Sequence, residues 1–187
     1  WVEWNDRFQS AARRFWRGDK GAVADMAYRL SGSSDVMDGR GPLANLNYVA
    51  SHDGMTLEDV VSYSKKHNEP NGEENRDGVS DDFSWNHGVE GPTAEPGVLA
   101  RRSRDKRNLV ATLFLSLGVP MIAAGDVLGQ TQAGNNNAYC QDNETSWIDW
   151  RLAEGDGARF LNFVRYVISL RKSLGIVRRS SFYTGRE

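Results

Sequence analysis

The apolar positions follow two alternating rhythms along the chain. Trp4, Asp6 and Phe8 share one parity over residues 1–8 and predict a short strand. From Gln9 the spacing changes: Phe8, Ala11, Ala12 and Phe15 recur three and four apart, which predicts a helix ending at Gly18. Val23, Met26, Ala27 and Leu30 predict a second helix over 21–30, and the Gly-, Ser- and Asp-rich stretch 31–42 reads as loop. Residues 43–51 predict a short buried strand. Thr56 then stands as an N-cap three residues before Asp59, opening a helix that runs to about Lys66. Residues 67–96 show no period, and a loop of that length in a domain is either functional or disordered. Phe83 and Trp85 argue against disorder, because disordered segments are poor in aromatics.

The helical period returns with Leu99, Leu109, Val110, Leu113, Phe114 and Leu117, and Gly118 is placed to cap that helix. Arg101, Arg102, Arg104, Lys106 and Arg107 form its other face, to be read either as a solvated surface or as a ligand-binding cluster. Residues 119–124 predict a strand buried on both faces, 129–143 a polar loop, and 157–174 a final helix. Strands alternating with amphipathic helices imply an α/β fold of parallel βα units. Three such units fall short of a closed eight-stranded barrel.

A chain of 187 residues is large enough for a real core. Its net charge of -2 provides no basic field for nucleic acid. With a mean hydropathy of -0.59 and no apolar run of spanning length, no membrane segment is expected. The single cysteine, Cys140, has no internal disulfide partner and fits a reducing compartment, so a cytoplasmic location is expected. Trp1-Val2-Glu3-Trp4 has neither a starting Met nor a signal-peptide pattern and reads as an internal cut.

The candidate chemistry begins at Asn47-Tyr48-Val49-Ala50-Ser51-His52-Asp53-Gly54. Here a strand delivers an imidazole and a carboxylate into a turn, the place where parallel α/β folds put reactive groups. The competing reading is turn chemistry alone, since Asp-Gly is common where strands stop. Consecutive residues on an extended chain point to opposite faces, so Ser51, His52 and Asp53 are not expected to form a relay. Glu73, Asn75, Asp77 and Gly78 imitate a calcium loop, but Ser84 stands where a bidentate Glu is needed. Gly125 and Gly129 lack dinucleotide spacing, and three histidines without paired-ligand spacing give no zinc signature, so neither metal nor cofactor is expected. Asn143-Glu144-Thr145 matches a glycosylation acceptor but reads as coincidence without a secretory signal. Six tryptophans, six tyrosines and amide-rich loops suit a polyhydroxylated ligand, although large aromatics are more often core. Glycoside hydrolysis uses paired carboxyl groups, for which Asp53 is the first candidate and Asp126 the second.

The same stretch resembles the fourth conserved motif of the α-amylase superfamily. Trp4-Asn5-Asp6-Arg7-Phe8, Lys66-His67-Asn68-Glu69, Asn75-Arg76-Asp77-Gly78, Ser84-Trp85-Asn86 and the run Gly134 to Glu144 are similar to its glycogen-debranching and isoamylase branch. The resemblance implies roughly strands six to eight of a (β/α)8 catalytic barrel, with the last helix at about 157–174 and an exit to a C-terminal β domain after about residue 180. It implies that His52 contacts the sugar at the cleavage subsite and that Asp53 is the third catalytic carboxylate, stabilising the transition state. Asn137, Tyr139, Asp142 and Asn143 are implied as substrate-binding. The nucleophile and acid motifs of the family are missing from the chain, and Val127 stands where relatives commonly have Glu after Gly-Asp.

The implied activity is retaining hydrolysis of α-1,6 branch linkages in glycogen or limit dextrin by the whole protein, with the chain alone inactive. A non-catalytic glucan-binding or structural remnant is the alternative. The open edges of a partial barrel are expected to drive self-association.

Overall fold

The computed structural model describes residues 1–37, 39–184 and 186. It is α/β: β1 (Glu3–Asn5), β2 (Asn45–Asn47) and β3 (Val119–Pro120) form one parallel sheet in the order β1-β2-β3. The helices are α1 (Asp6–Arg17), α2 (Ala22–Leu30), α3 (Leu57–Val60), α4 (Pro96–Leu115) and α5 (Gly155–Ser173). Two compact units divide the chain, one comprising 1–49, 108–121 and 164–187, the other 50–107 and 122–163.

The first unit contains the sheet. Its register pairs Glu3 with Asn45, Asn5 with Asn47, and Leu46 with Val119. The strand expected over residues 1–8 stops at Asn5, because the Asn5 side chain accepts a hydrogen bond from the Phe8 N–H at 3.0 Å and caps α1. The same amide donates to Ser33 Oγ and Asn45 Oδ1, both at 2.9 Å, and Asn47 donates to the Leu117 carbonyl at 3.0 Å. These buried amides set the register by direction as well as by bulk. Phe8, Ala11, Met26, Val110, Leu113, Leu117 and Val164 are buried in this unit. Buried Arg171 donates to the carbonyls of Phe114 and Ser116 at 2.7 Å, and also to those of Gly118 and Val177. It thereby serves the orphan carbonyls that every helix end leaves.

The second unit is mostly loop on short helices. The helix expected from Thr56 to Lys66 closes after one turn. Thr56 caps it as expected, accepting from the Asp59 N–H at 3.1 Å. At its end and just beyond, the carbonyls of Val60 and Ser62 are taken by the N–H groups of Trp85 and Gly91, at 2.9 and 2.8 Å. The basic cluster on α4 divides. Arg101, Arg104 and Arg107 are exposed, whereas Arg102 is buried and donates to the carbonyls of Gly91, Asn86 and Val89. Arg102 thus pins an irregular loop that has no ladder of its own.

Candidate functional site

After β2 the chain runs through buried Tyr48, Val49, Ala50 and Ser51, and then presents two exposed side chains. His52 and Asp53 are 73% and 78% exposed, and Nε2 of the first lies 3.3 Å from Oδ2 of the second. The expectation that consecutive side chains diverge fails here because residues 52–54 bend out of the extended conformation. No relay results, since the Ser51 hydroxyl donates to the Asp53 backbone carbonyl at 2.9 Å. An open carboxylate beside an imidazole can grip vicinal hydroxyls and present fixed negative charge to a developing cation.

Asp126, the second candidate carboxylate, is buried, and its Oδ1 accepts from the Leu57 N–H at 2.9 Å. It supports the start of α3. Asn137 and Asn143 are part-buried: Asn137 donates to Asp77 Oδ2 and Asn143 to Gln141 Oε1, each at 2.9 Å. Tyr139 and Asp142 are exposed; the Tyr139 hydroxyl donates to Glu73 at 2.9 Å, and Asp142 accepts from the Trp147 indole at 3.0 Å.

Joining these loops is an amide cluster that the sequence reading did not assemble. Asn68 Nδ2 donates to Asn136 Oδ1 at 2.8 Å, Asn71 Nδ2 to Asp77 Oδ2 at 2.7 Å, and Asn135 Nδ2 to Asn71 Oδ1 at 2.8 Å. Hydrogen bonds from Asn71 and Asn137 hold the Asp77 carboxyl below its usual range. The available signal was the density of asparagine in two stretches, 68–75 and 135–137.

Two carboxylates in this unit carry opposite shifts. Burial pushes Asp59 up to about 6, even though it accepts hydrogen bonds from Thr131 and the Gln132 N–H. For Glu90, burial acts upward but is outweighed by hydrogen bonds from His67, Asn86 and Ser64, which bring it down to about 2. The signs differ. A raised acid binds its proton more tightly when folded, so Asp59 favours folding most below its unfolded value near 4, and that contribution falls as pH rises through 6. Over that window it amounts to on the order of 3 kcal/mol. The Glu90 contribution is present above about 4.5 and is lost as pH falls toward 2. Carbon-detected titration of the Asp59 carboxyl is expected to show a midpoint near 6; a midpoint at the ordinary Asp value would mean that its hydrogen bonds fully offset burial.

The same unit has a concavity of about 580 Å³ lined by Tyr63, Arg102, Lys106, Leu128, Leu152 and Phe160, among others. Neither His52 nor Asp53 reaches it.

No protein-family model matches the chain. It is 52% identical to the glycogen operon protein GlgX homolog of Mycobacterium tuberculosis, over 99% of this chain and 26% of that protein. It is 45% identical to the glycogen debranching enzyme of Klebsiella pneumoniae, over 97% of this chain and 28% of that protein. The chain therefore spans about a quarter of the length of the curated relatives it matches. Among solved structures, a pullulanase from Bacillus acidopullulyticus shares the fold with a TM-score of 0.69 at 23% identity, covering 96% of this chain and 20% of that one. A pullulanase from Paenibacillus barengoltzii, in complex with maltohexaose and α-cyclodextrin, gives 0.69 at 22% identity, covering 96% and 25%. By these near full-chain identities, the chain belongs to the glycogen-debranching and isoamylase branch of the α-amylase superfamily.

Proposed function

We propose that this chain is the C-terminal section, roughly strands six to eight, of the (β/α)8 barrel of a retaining α-1,6-glucosidase that removes branches from glycogen or limit dextrin. The carrying observation is an open His52–Asp53 pair after β2, in a chain 45% identical over 97% of its length to a glycogen debranching enzyme. In this reading β1, β2 and β3 are the barrel strands, and residues after about 180 lead toward a further β domain. Asp53 supplies fixed negative charge and grips sugar hydroxyls as the ring flattens toward an oxocarbenium-like state. His52, 3.3 Å away, donates to a hydroxyl of the same sugar. The nucleophile and the general acid come from parts of the whole protein outside this chain.

Substrate contacts extend over Asn137, Tyr139, Asp142 and Asn143. Tyr139 is 74% exposed with its hydroxyl tied to Glu73, which leaves its ring faces for a sugar. Asn137 spends its amide on Asp77 of the neighbouring loop and Asn143 on Gln141 of its own, and both hold the shape of the binding surface. The cellular location that suits this activity is the cytoplasm; among the described residues no helix is long and apolar enough to cross a membrane.

The whole protein is expected to release linear chains from limit dextrin and pullulan while leaving amylose intact, measured by reducing ends and chain-length profile. Cleavage of amylose with branched substrates untouched would overturn the reading. By itself the chain leaves β1 and β3 as open sheet edges, with Trp4 on β1 48% exposed. It is expected to self-associate and to be inactive. A monodisperse monomer by light scattering, or debranching by the purified chain, would count against this.

A further inference from the structure

Gly54 is where the turn bearing His52 and Asp53 is tied down. Its φ is +110°, and a Cβ there would stand 3.1 Å from Asp82 Oδ1. The Gly54 N–H donates to the Asn136 carbonyl at 2.9 Å. Asn136 is 1% exposed, and its polar atoms are held from several directions. Its side-chain oxygen accepts from Asn68 Nδ2 at 2.8 Å, and its own N–H donates to Asn68 Oδ1 at 2.9 Å. Its Nδ2 donates to Asp82 Oδ2 at 2.5 Å and to the Val79 carbonyl at 2.8 Å. Asn68 and Asp82 are themselves buried. The two long polar loops therefore interlock at Asn136, whose carbonyl is aimed at the residue after Asp53. An apolar side chain of equal volume would fill the space without fixing that direction.

We propose that Asn136 is a positioning residue for Asp53: held by Asn68, Asp82 and Val79, it fixes Gly54 and so sets where the Asp53 carboxylate stands. The proposal rests on the transition-state role given to Asp53 above. Small misplacements of a catalytic group are costly, so the effect falls on turnover and leaves ground-state binding largely intact.

In the whole protein, Asn136→Ala is expected to lower kcat on limit dextrin about 10- to 100-fold with KM within about twofold. Asn86→Ala removes hydrogen bonds to Glu90 and Ser64 in the same unit but none to this turn, and should leave kcat near normal. In an Asp53→Asn background, Asn136→Ala should cost less than about twofold more, since the group it positions has lost its charge. Equal losses in both backgrounds, or a kcat for Asn136→Ala equal to that for Asn86→Ala, would overturn the positioning role while leaving the debranching reading in place. An unmodified protein without debranching turnover overturns both. Should Asn136→Ala fail to fold, Asp82→Asn keeps the shape and weakens one arm; a loss in kcat of about threefold or more at unchanged KM supports the role, and no loss overturns it.

Discussion

Asp53→Asn in the whole protein is expected to lower kcat on limit dextrin by about 100- to 1,000-fold or more, with affinity for maltooligosaccharides changed only a few-fold. The substitution keeps the side chain's size and one acceptor oxygen. It removes the charge, which matters most when positive charge develops at the sugar. Because the Asp53 side chain is 78% exposed, the loss should not reflect a damaged core. The backbone of the turn is held separately, by the Ser51 hydroxyl on the Asp53 carbonyl and by Asn136 on Gly54. Steady-state kinetics with calorimetric binding separates the two quantities. Near-normal turnover would remove Asp53 from the mechanism, and a parallel loss of binding would recast it as a substrate anchor.

The largest effect on stability is expected at Arg171. Replacing it with Leu should destabilise the first unit by about 3 to 5 kcal/mol, read as a lower urea midpoint or as loss of soluble protein. Its guanidinium serves four carbonyls: those of Phe114, Ser116 and Gly118 at and beyond the end of α4, and that of Val177. Burial, with a smaller push from Arg178, lowers its pKa from the usual arginine value. Arg171→Lys should recover only part of the loss, because one ammonium cannot reproduce a planar fork. Equal midpoints for wild type and Arg171→Leu would show that other groups satisfy these carbonyls.

The long helices and the parallel order of the strands were readable from apolar spacing, because burial of one face is what that spacing records. Strand length was not. Val49 and Ala50 are each 1% exposed and fit a strand pattern, yet only residues 45–47 pair in the sheet. An apolar run reports burial, and pairing depends on partners far along the chain. The shortness of α3 has the same origin, since the N–H groups that take the carbonyls of Val60, its last residue, and of Ser62 just beyond it come from Trp85 and Gly91. His52 and Asp53 stood out because a strand end and a family motif coincide on consecutive residues. Asn68 and Asn136 meet across a separation of 68 positions, and no local pattern announces such a pair. Arg102 and Arg171 resemble any solvated arginine in the sequence. Only the loops folded over them turn them into structural donors.

The amide cluster has a further consequence, for ionic strength. Salt screens exposed charge pairs such as Arg151 with Asp149, whose side chains are 90% and 39% exposed. Asn68 and Asn136 exchange two hydrogen bonds as neutral, buried groups, and Asn135 donates to Asn71 as another neutral pair, on which mobile ions have little hold. The proposed substrate, an uncharged polymer, is equally indifferent to counterions. High salt can loosen pairs on the surface of this unit while the loops beneath the His52–Asp53 turn keep their spacing.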